Sequence, residues 1–248
     1  MYGCLGNSGR CYGPATVQLS TLDACIVVQL TRVNRRPSDD CRSLLQAVVQ
    51  DSQIIKAGCG LDDDMVDLRE LWTGLEASSR LDLCGLVGVK NPKQPQQQLF
   101  GLKKLTKHIL GYDLPKPNRI SRSDWSRFPL SGAQIEYSAR DAWVGAAIVN
   151  RLEQLDPETF SADNLIRRLE SQPSIAKLAQ RRTAVRQAKG ELKSLNEEYR
   201  RRREKECNAP PPHRKRARLQ EIIKRNRKTS FEFFEVDPLT SVSHKKQN

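Results

Sequence analysis

Short apolar runs alternate with stretches of helical spacing over the first 155 residues. Two β-prone runs, at 15–20 and 25–30, are separated by four residues, which predicts an antiparallel hairpin. Further strands are predicted at 52–60 and 81–89, and a polar, proline-broken linker at 90–98. Helices are predicted at 38–49, 62–75, 99–111 and 131–155. This alternation indicates an α/β fold, with a mixed sheet because of the opening hairpin.

Capping residues support two of these helices. Ser38 is placed to cap the first helix, which has two aspartates in its first turn. Ser131 and Gln134 have the spacing of a capping box at the start of the last. That last helix has the strongest helical pattern in the chain.

Three consecutive aspartates open the helix at 62–75. Asp62 is the natural N-cap or a first-turn carboxylate, and Asp63 shares its side with mainly polar residues. Asp64 lies on the apolar side, since it falls four positions before Leu68 and seven before Leu71. A carboxylate at that position needs a partner, so Asp64 is either a functional residue or a second capping residue that is only partly buried.

A tyrosine and an aspartate four residues apart form a second candidate pair on the last helix. Tyr137 and Asp141 stack on one side with Val144 and Ile148. The apolar stripe of this helix is predicted to contain Ile135, Ala139, Ala142, Ala146, Val149 and Leu152. The spacing is equally compatible with a functional pair and with a tyrosine at the core edge beside a solvated aspartate.

Charge divides the chain sharply. Residues 1–165 hold 19 basic and 19 acidic side chains, whereas residues 166–228 hold 21 basic and 7 acidic ones, a net charge of +14. Such a basic arm predicts a polyanionic partner, most often nucleic acid. The candidate phosphate-binding side chains are Arg200, Arg201, Arg202, Arg203, Arg214, Lys215, Arg216 and Arg218. The cluster at 213–228 fits a nuclear localisation signal equally well.

The pattern predicts three regions: a globular domain at 1–160, a charged amphipathic helical arm at 161–207, and a basic, largely disordered tail at 208–248. Heptad-like spacing in the arm predicts coiled-coil self-association through 174–206. It involves Leu178, Val185, Ala188, Leu192, Leu195 and Tyr199.

The remaining composition excludes several classes of protein. No run reaches the roughly 18 apolar residues needed to cross a bilayer, so no membrane partner is expected. The first ten residues lack the pattern of a secretory signal. The seven cysteines are scattered without a Cys-x-x-Cys pair, which favours reduced thiols in an intracellular protein over a zinc site.

Two segments carry a family resemblance. GCGLDDDMVDL at 58–68 and LGYDLPKPNRISRSDWSRFPLSGAQIEYSARDA at 110–142 resemble the second and third motifs of the DEDDy 3′–5′ exonucleases. This is the group of ribonuclease D and the Werner-type exonuclease domain. The resemblance covers roughly residues 14–153 and excludes the basic arm.

The resemblance implies a ribonuclease H-like mixed sheet with flanking helices. It also implies two Mg²⁺ or Mn²⁺ ions about 4 Å apart, held by four carboxylates for phosphodiester hydrolysis at single-stranded DNA or RNA ends. By position, Asp64 matches the second-motif aspartate, Asp141 matches the third-motif metal ligand, and Tyr137 matches the tyrosine that positions the attacking water.

The first motif of that family is missing from this chain. It is an Asp-x-Glu on the strand before residues 15–20, yet residues 1–14 contain no acidic side chain. The only Asp-x-Glu is at 156–158, where a proline separates the two acids. We expect either a truncated start or a degenerate site, with truncation preferred because Tyr137 and Asp141 are retained. The sequence therefore predicts a 3′–5′ exonuclease of impaired activity, or alternatively a non-catalytic nucleic-acid-binding scaffold.

Overall fold

The computed structural model describes residues 2–5, 11–30, 39–85, 88–91, 94–205 and 213–227. The chain divides into two compact units. The first contains the described strands and the helices that precede Ile175, and the second begins at Ala176 and contains the basic helices. None of the described helices is long and apolar enough to cross a membrane.

Seven strands are described, all in the first unit. They are β1 (Tyr2–Leu5), β2 (Cys11–Ser20), β3 (Cys25–Gln29), β4 (Lys56–Gly58), β5 (Arg80–Asp82), β6 (Gly88–Asn91) and β7 (Gln94–Leu99).

Nine α-helices are described across the two units, together with a 3₁₀ turn at Leu83–Gly85 and a π-helical turn at Thr106–Leu110. They are α1 (Asp39–Gln50), α2 (Leu61–Leu71), α3 (Leu102–Leu105), α4 (Asn118–Ser121), α5 (Gly132–Leu155), α6 (Pro157–Phe160), α7 (Ala162–Leu169), α8 (Ile175–Lys205) and α9 (His213–Arg227).

The predicted opening hairpin is confirmed. β2 pairs antiparallel with β3, in a register that places Thr16 opposite Gln29 and Ser20 opposite Cys25. β1 pairs antiparallel with the opposite edge of β2, from Leu5 opposite Cys11 to Tyr2 opposite Thr16. β4 and β5 form a separate parallel pair, with Gly58 opposite Asp82. The fold is therefore mixed α/β, with small sheets and mostly helices, as the sequence pattern indicates.

The predicted linker at 90–98 is wrong. Residues 90–91 belong to β6 and residues 94–98 to β7, and the two strands pair antiparallel from Gly88 opposite Leu99 to Asn91 opposite Gln94. Proline at position 95 lies within β7, as it can in a strand with an open edge. The glutamine-rich composition conceals a strand, because backbone pairing does not depend on apolar side chains.

Helices α5, α6 and α7 share one core. Val144 and Ile148 of α5 pack in a buried cluster with Leu81 and Leu83, and the same cluster includes Phe160, Leu165 and Leu169. The first unit therefore extends beyond residue 160, the predicted end of the globular domain, to Ile175. The amphipathic pattern of α7 belongs to this core.

The second unit contains a helix where the sequence predicts a disordered tail. Residues 213–227 form α9, which contradicts the prediction for that part of 208–248. The basic run conceals an apolar row at helical spacing, since Leu219 is buried and Ile222 and Ile223 are half-buried. The rest of the predicted tail, like the predicted cap Ser38, lies outside the described residues.

Arg80 connects three segments of the first unit. Its side chain is only 2% exposed, and its Nε donates to Asp62 Oδ1 at 2.8 Å. Its two terminal nitrogens donate to the carbonyls of Ala77 and Pro173, the latter at 2.7 Å. Gln172 bonds both the amide and the carbonyl of Arg80. One buried guanidinium therefore ties the start of α2, the start of β5 and the segment after α7 together.

We expect Arg80→Ala to lower the free energy of unfolding by roughly 3 kcal/mol, because it leaves a carboxylate and two carbonyls without their donor. Urea denaturation of the purified chain measures the change. Lys107→Ala is the control, since Lys107 and Asp113 form an exposed pair and its loss should leave the urea midpoint unchanged. A midpoint equally unchanged in Arg80→Ala would contradict this role.

Candidate active site

A cleft of about 370 Å³ opens at the carboxyl end of β4. Side chains from well-separated parts of the chain line it, including Gln18, Cys59, Asp64, Lys116 and Asp141. Ligands of open α/β sheets bind at this end of the strands. The cleft therefore combines a favourable position with carboxylate, ammonium and thiol groups.

Asp64 reaches the cleft because of how α2 begins. Gly60, the residue before the helix, has φ of +73°, a conformation that glycine adopts readily. The amide of Asp64 donates to the carbonyl of Gly60 at 3.2 Å, which starts the helical hydrogen bonds. Burial raises the pKa of the Asp64 carboxyl, and the neighbouring charges of Asp67 and Asp63 raise it further.

The other two aspartates of the triplet have different environments. Asp62 is a first-turn carboxylate, one of its two predicted roles, and not the N-cap, since Gly60 occupies that position. Asp62 instead pairs with the buried Arg80, a partner 18 residues away that local spacing does not reveal. Asp63 is exposed, as its position among polar neighbours predicts.

Asp141 lies on α5 and shares the cleft with Asp64. The capping box that starts this helix is confirmed: the Ser131 side chain accepts from the amide of Gln134, and the Gln134 side chain accepts from the amide of Ser131. Close packing of α5 on β4 holds Asp141 in place. At Gly145, a Cβ atom would lie 3.4 Å from the carbonyl oxygen of Ala57.

Lys116 also lines the cleft, although the sequence pattern does not predict it there. Its Nζ lies 3.9 Å from Oδ2 of Asp141, whose side chain is 14% exposed. The lysine stands between two prolines in the stretch that follows Gly111. Its position between two prolines, inside the segment at 110–142 that resembles the third motif, is the sequence feature that could have identified it.

Tyr137 occupies a different environment from the two aspartates. Its side chain is buried beside Trp125, with 6.1 Å between the ring centroids. Ala15 and Leu130 complete that cluster, and Tyr137 is absent from the described lining of the cleft. Trp125 is buried as well, and its indole nitrogen donates to the carbonyl of Ser121 at 3.3 Å. The structure thus brings Asp64 and Asp141 together and places Tyr137 in the adjoining core.

The predicted apolar stripe of α5 is wrong at its start. Ile135 is 47% exposed, whereas Tyr137, Val144 and Ile148 are buried. The row with Tyr137, Val144 and Ile148 faces inward because the small residue Gly145 lets α5 approach β4 closely. The inward row is the one that contains Asp141.

The described residues do not fit a centre of two divalent cations. They contain no group of three or more histidine, cysteine, aspartate or glutamate side chains placed to hold a metal ion. Two carboxylates line the cleft, and an ammonium already lies beside one of them. β1, which pairs with β2, contributes Tyr-Gly-Cys-Leu and no acidic residue. Two dications in this cleft would lack most of the negative charge that they require.

The predicted phosphate-binding arginines lie in the second unit. Arg200 to Arg203 are exposed on α8, and the Arg202 guanidinium donates to Glu198 at 2.6 Å. The basic residues predicted on α9 are exposed too: Arg214, Lys215, Arg216 and Arg218.

Comparison with known proteins identifies relatives of this chain. It is 34% identical over 117 residues to a 3′–5′ exonuclease of Arabidopsis thaliana, covering 47% of this chain and 39% of that protein. It is 35% identical over 112 residues to the mouse bifunctional 3′–5′ exonuclease/ATP-dependent helicase WRN, covering 45% of this chain and 8% of that protein. It is 32% identical over 151 residues to the exonuclease 3′–5′ domain-containing protein 2 of Drosophila melanogaster, covering 59% and 24%.

These matches span at most 39% of each of these relatives. The family model described as 3′–5′ exonuclease matches residues 14–155, more than half of this chain. The matched region includes most of β2 and all of β4, α2, Lys116 and α5, each of which contributes residues to the cleft. The chain therefore belongs to the 3′–5′ exonuclease family.

Proposed function

We propose that the cleft binds the 3′-terminal phosphodiester of a nucleic-acid strand and that the basic helices bind the strand backbone. The observation that carries this proposal is the meeting of Asp64, Asp141 and Lys116 in one cleft from three distant parts of the chain. The exonuclease family acts on nucleic acids, and both carboxylates fall on positions that match its motifs. DNA and RNA ends share the phosphodiester that this proposal invokes.

Lys116 supplies the phosphate contact in this proposal. A lysine ammonium is a compact point charge that suits phosphate oxygens. Its side chain is 41% exposed, so a ligand entering the cleft can reach it. Asp141 holds the ammonium near the cleft in the absence of ligand and competes with phosphate for it.

The same residues favour slow hydrolysis by this 248-residue chain. Clamping both the attacking and the leaving oxygen takes two cations, and the cleft offers two carboxylates, one of them beside Lys116. This charge balance supports a second candidate function, in which the domain binds nucleic-acid ends without cleaving them. Asp64 and Asp141 would hold any cation that the cleft does bind.

The hydrolysis proposal is tested with a 5′-labelled single-stranded oligonucleotide and Mn²⁺. We expect little or no stepwise shortening at enzyme excess, because only two carboxylates, Asp64 and Asp141, are among the described residues that line the cleft. Asp141→Asn is the matched control, since it removes one charge and keeps the shape of the side chain. A ladder of shortened products that Asp141→Asn abolishes would show that this chain is an active exonuclease and would reject the binding-only function.

The role of Lys116 is tested with a nucleoside 5′-monophosphate, a ligand small enough to report on the cleft alone. We expect Lys116→Met to weaken its binding roughly tenfold, the value of one charge-assisted hydrogen bond. Asp141→Asn should have the opposite effect in metal-free buffer, because it releases the ammonium and removes a repelling charge. Isothermal titration calorimetry measures both changes.

Lys107→Met is the control for loss of a positive charge outside the cleft, since Lys107 pairs with Asp113 on the surface. It should leave the dissociation constant unchanged. Equal weakening by Lys107→Met and Lys116→Met would assign the effect to net charge and remove Lys116 from the site.

The contribution of the basic helices is tested by the salt dependence of single-strand binding. Replacing Arg200, Arg201, Arg202 and Arg203 by alanine should reduce the slope of log K against log salt by up to about 3, since each phosphate contact on a single strand contributes roughly 0.7. Fluorescence anisotropy over a range of salt concentrations gives the slope. The basic cluster at 213–228 is also proposed as a nuclear localisation signal.

A matched variant separates position from net charge. Lys103, Lys107, Arg122 and Arg127 are exposed in the first unit, and their replacement by alanine removes the same four charges. We expect a smaller change of slope for this variant. An equal change in both variants would overturn the specific role of α8.

A further inference from the structure

Two cysteines meet at the carboxyl ends of β4 and β5. Gly58 of β4 lies opposite Asp82 of β5 in the parallel register, so Cys59 and Cys84 follow paired positions. The amides of Gly60 and Cys84 both donate to the same oxygen, Asp82 Oδ1, at 3.2 and 3.0 Å. One carboxylate oxygen therefore holds the two turns that carry the cysteines against each other.

The two side chains are close enough to influence each other electrostatically. Their interaction lowers the pKa of the Cys84 thiol and raises that of the Cys59 thiol. Cys84 is thus the better nucleophile of the pair, and Cys59 is the protonated neighbour.

The pair is accessible to small oxidants. Both cysteines are half-buried, and Cys59 lines the cleft. Cys25 and Cys41 are the other described free cysteines, and both lie in the first unit. Cys25 is exposed and Cys41 is half-buried, so their reactivity can be compared with that of the pair at the cleft.

We propose that Cys59 and Cys84 form an oxidisable dithiol in which a peroxide converts the pair to a disulfide at the edge of the cleft. The Cys84 sulfur attacks one peroxide oxygen; the O–O bond breaks, a sulfenic acid forms on Cys84, and the leaving hydroxide takes the thiol proton to become water. The Cys59 sulfur then attacks the sulfenic sulfur, forming the S–S bond and releasing the sulfenic oxygen as a second water. Two thiols and one hydrogen peroxide thus give one disulfide and two waters.

The disulfide would alter the start of α2. Cys59 directly precedes Gly60, the N-terminal flanking residue of the helix whose first turn carries Asp64. A bond to Cys84 fixes that turn covalently to the turn after β5 and removes a thiol from the wall of the cleft. The proposal concerns oxidation of the pair and stands independently of nucleic-acid binding.

The test treats the full chain with hydrogen peroxide at moderate excess and counts thiols. We expect the number of free thiols to fall by two, and dithiothreitol to restore both. Non-reducing peptide mass spectrometry should then identify a single cross-linked species joining the peptides of Cys59 and Cys84. A different cysteine partner, or an unchanged number of thiols, would overturn the proposal.

Variants test the order of the two steps. In Cys59→Ser, dimedone should trap a sulfenic acid on Cys84, because the resolving thiol is gone. In Cys84→Ser, labelling of Cys59 should be at least several-fold lower. Cys25→Ser is the control and should form the disulfide as the unmodified chain does. Stronger labelling of Cys59 in Cys84→Ser than of Cys84 in Cys59→Ser would refute Cys84 as the nucleophile.

Discussion

The geometry of the cleft depends on the buried guanidinium of Arg80. Arg80 binds Asp62 in the first turn of α2, and a helix turns about 200° between residues two apart. Fixing Asp62 on the side of Arg80 therefore directs Asp64 to the opposite side, which faces the cleft. The same guanidinium holds the carbonyls of Ala77 and Pro173, so it couples the orientation of α2 to the end of the first unit. Arg80, which is not among the described residues lining the cleft, thus sets the orientation of Asp64, which is.

The second carboxylate is positioned by packing. Gly145 of α5 faces the carbonyl of Ala57 in β4, where a Cβ atom would be tight at 3.4 Å. This approach brings Asp141, one turn earlier on the helix, to the end of β4 beside Asp64. One turn before Asp141, Tyr137 packs with Trp125 between α5 and the stretch before it. Gly145, by its small size, and the Tyr137–Trp125 pair, by its bulk, together determine the position of α5.

The sequence predicts those features that depend on neighbours along the chain. The β2–β3 hairpin, the capping box of α5 and the inward position of Asp64 follow from spacing alone, and the structure contains each. The pairing of Asp62 with Arg80 and of Lys116 with Asp141 could not be predicted, because both partners are distant in sequence. Composition fails to predict helix α9 for a different reason. Its basic residues dominate its composition, whereas a few apolar residues at helical spacing determine its structure.

The charge balance within the cleft limits what it can bind. Asp64 and Asp141 carry two negative charges when ionised, and Lys116 offsets one of them. Burial raises the pKa of the Asp64 carboxyl, which shows that its charge is already poorly solvated there. A phosphate that takes the Lys116 ammonium withdraws that positive charge from Asp141 and adds its own negative charge. A cation bound at Asp141 would therefore favour phosphate at Lys116, and the two occupancies would be coupled.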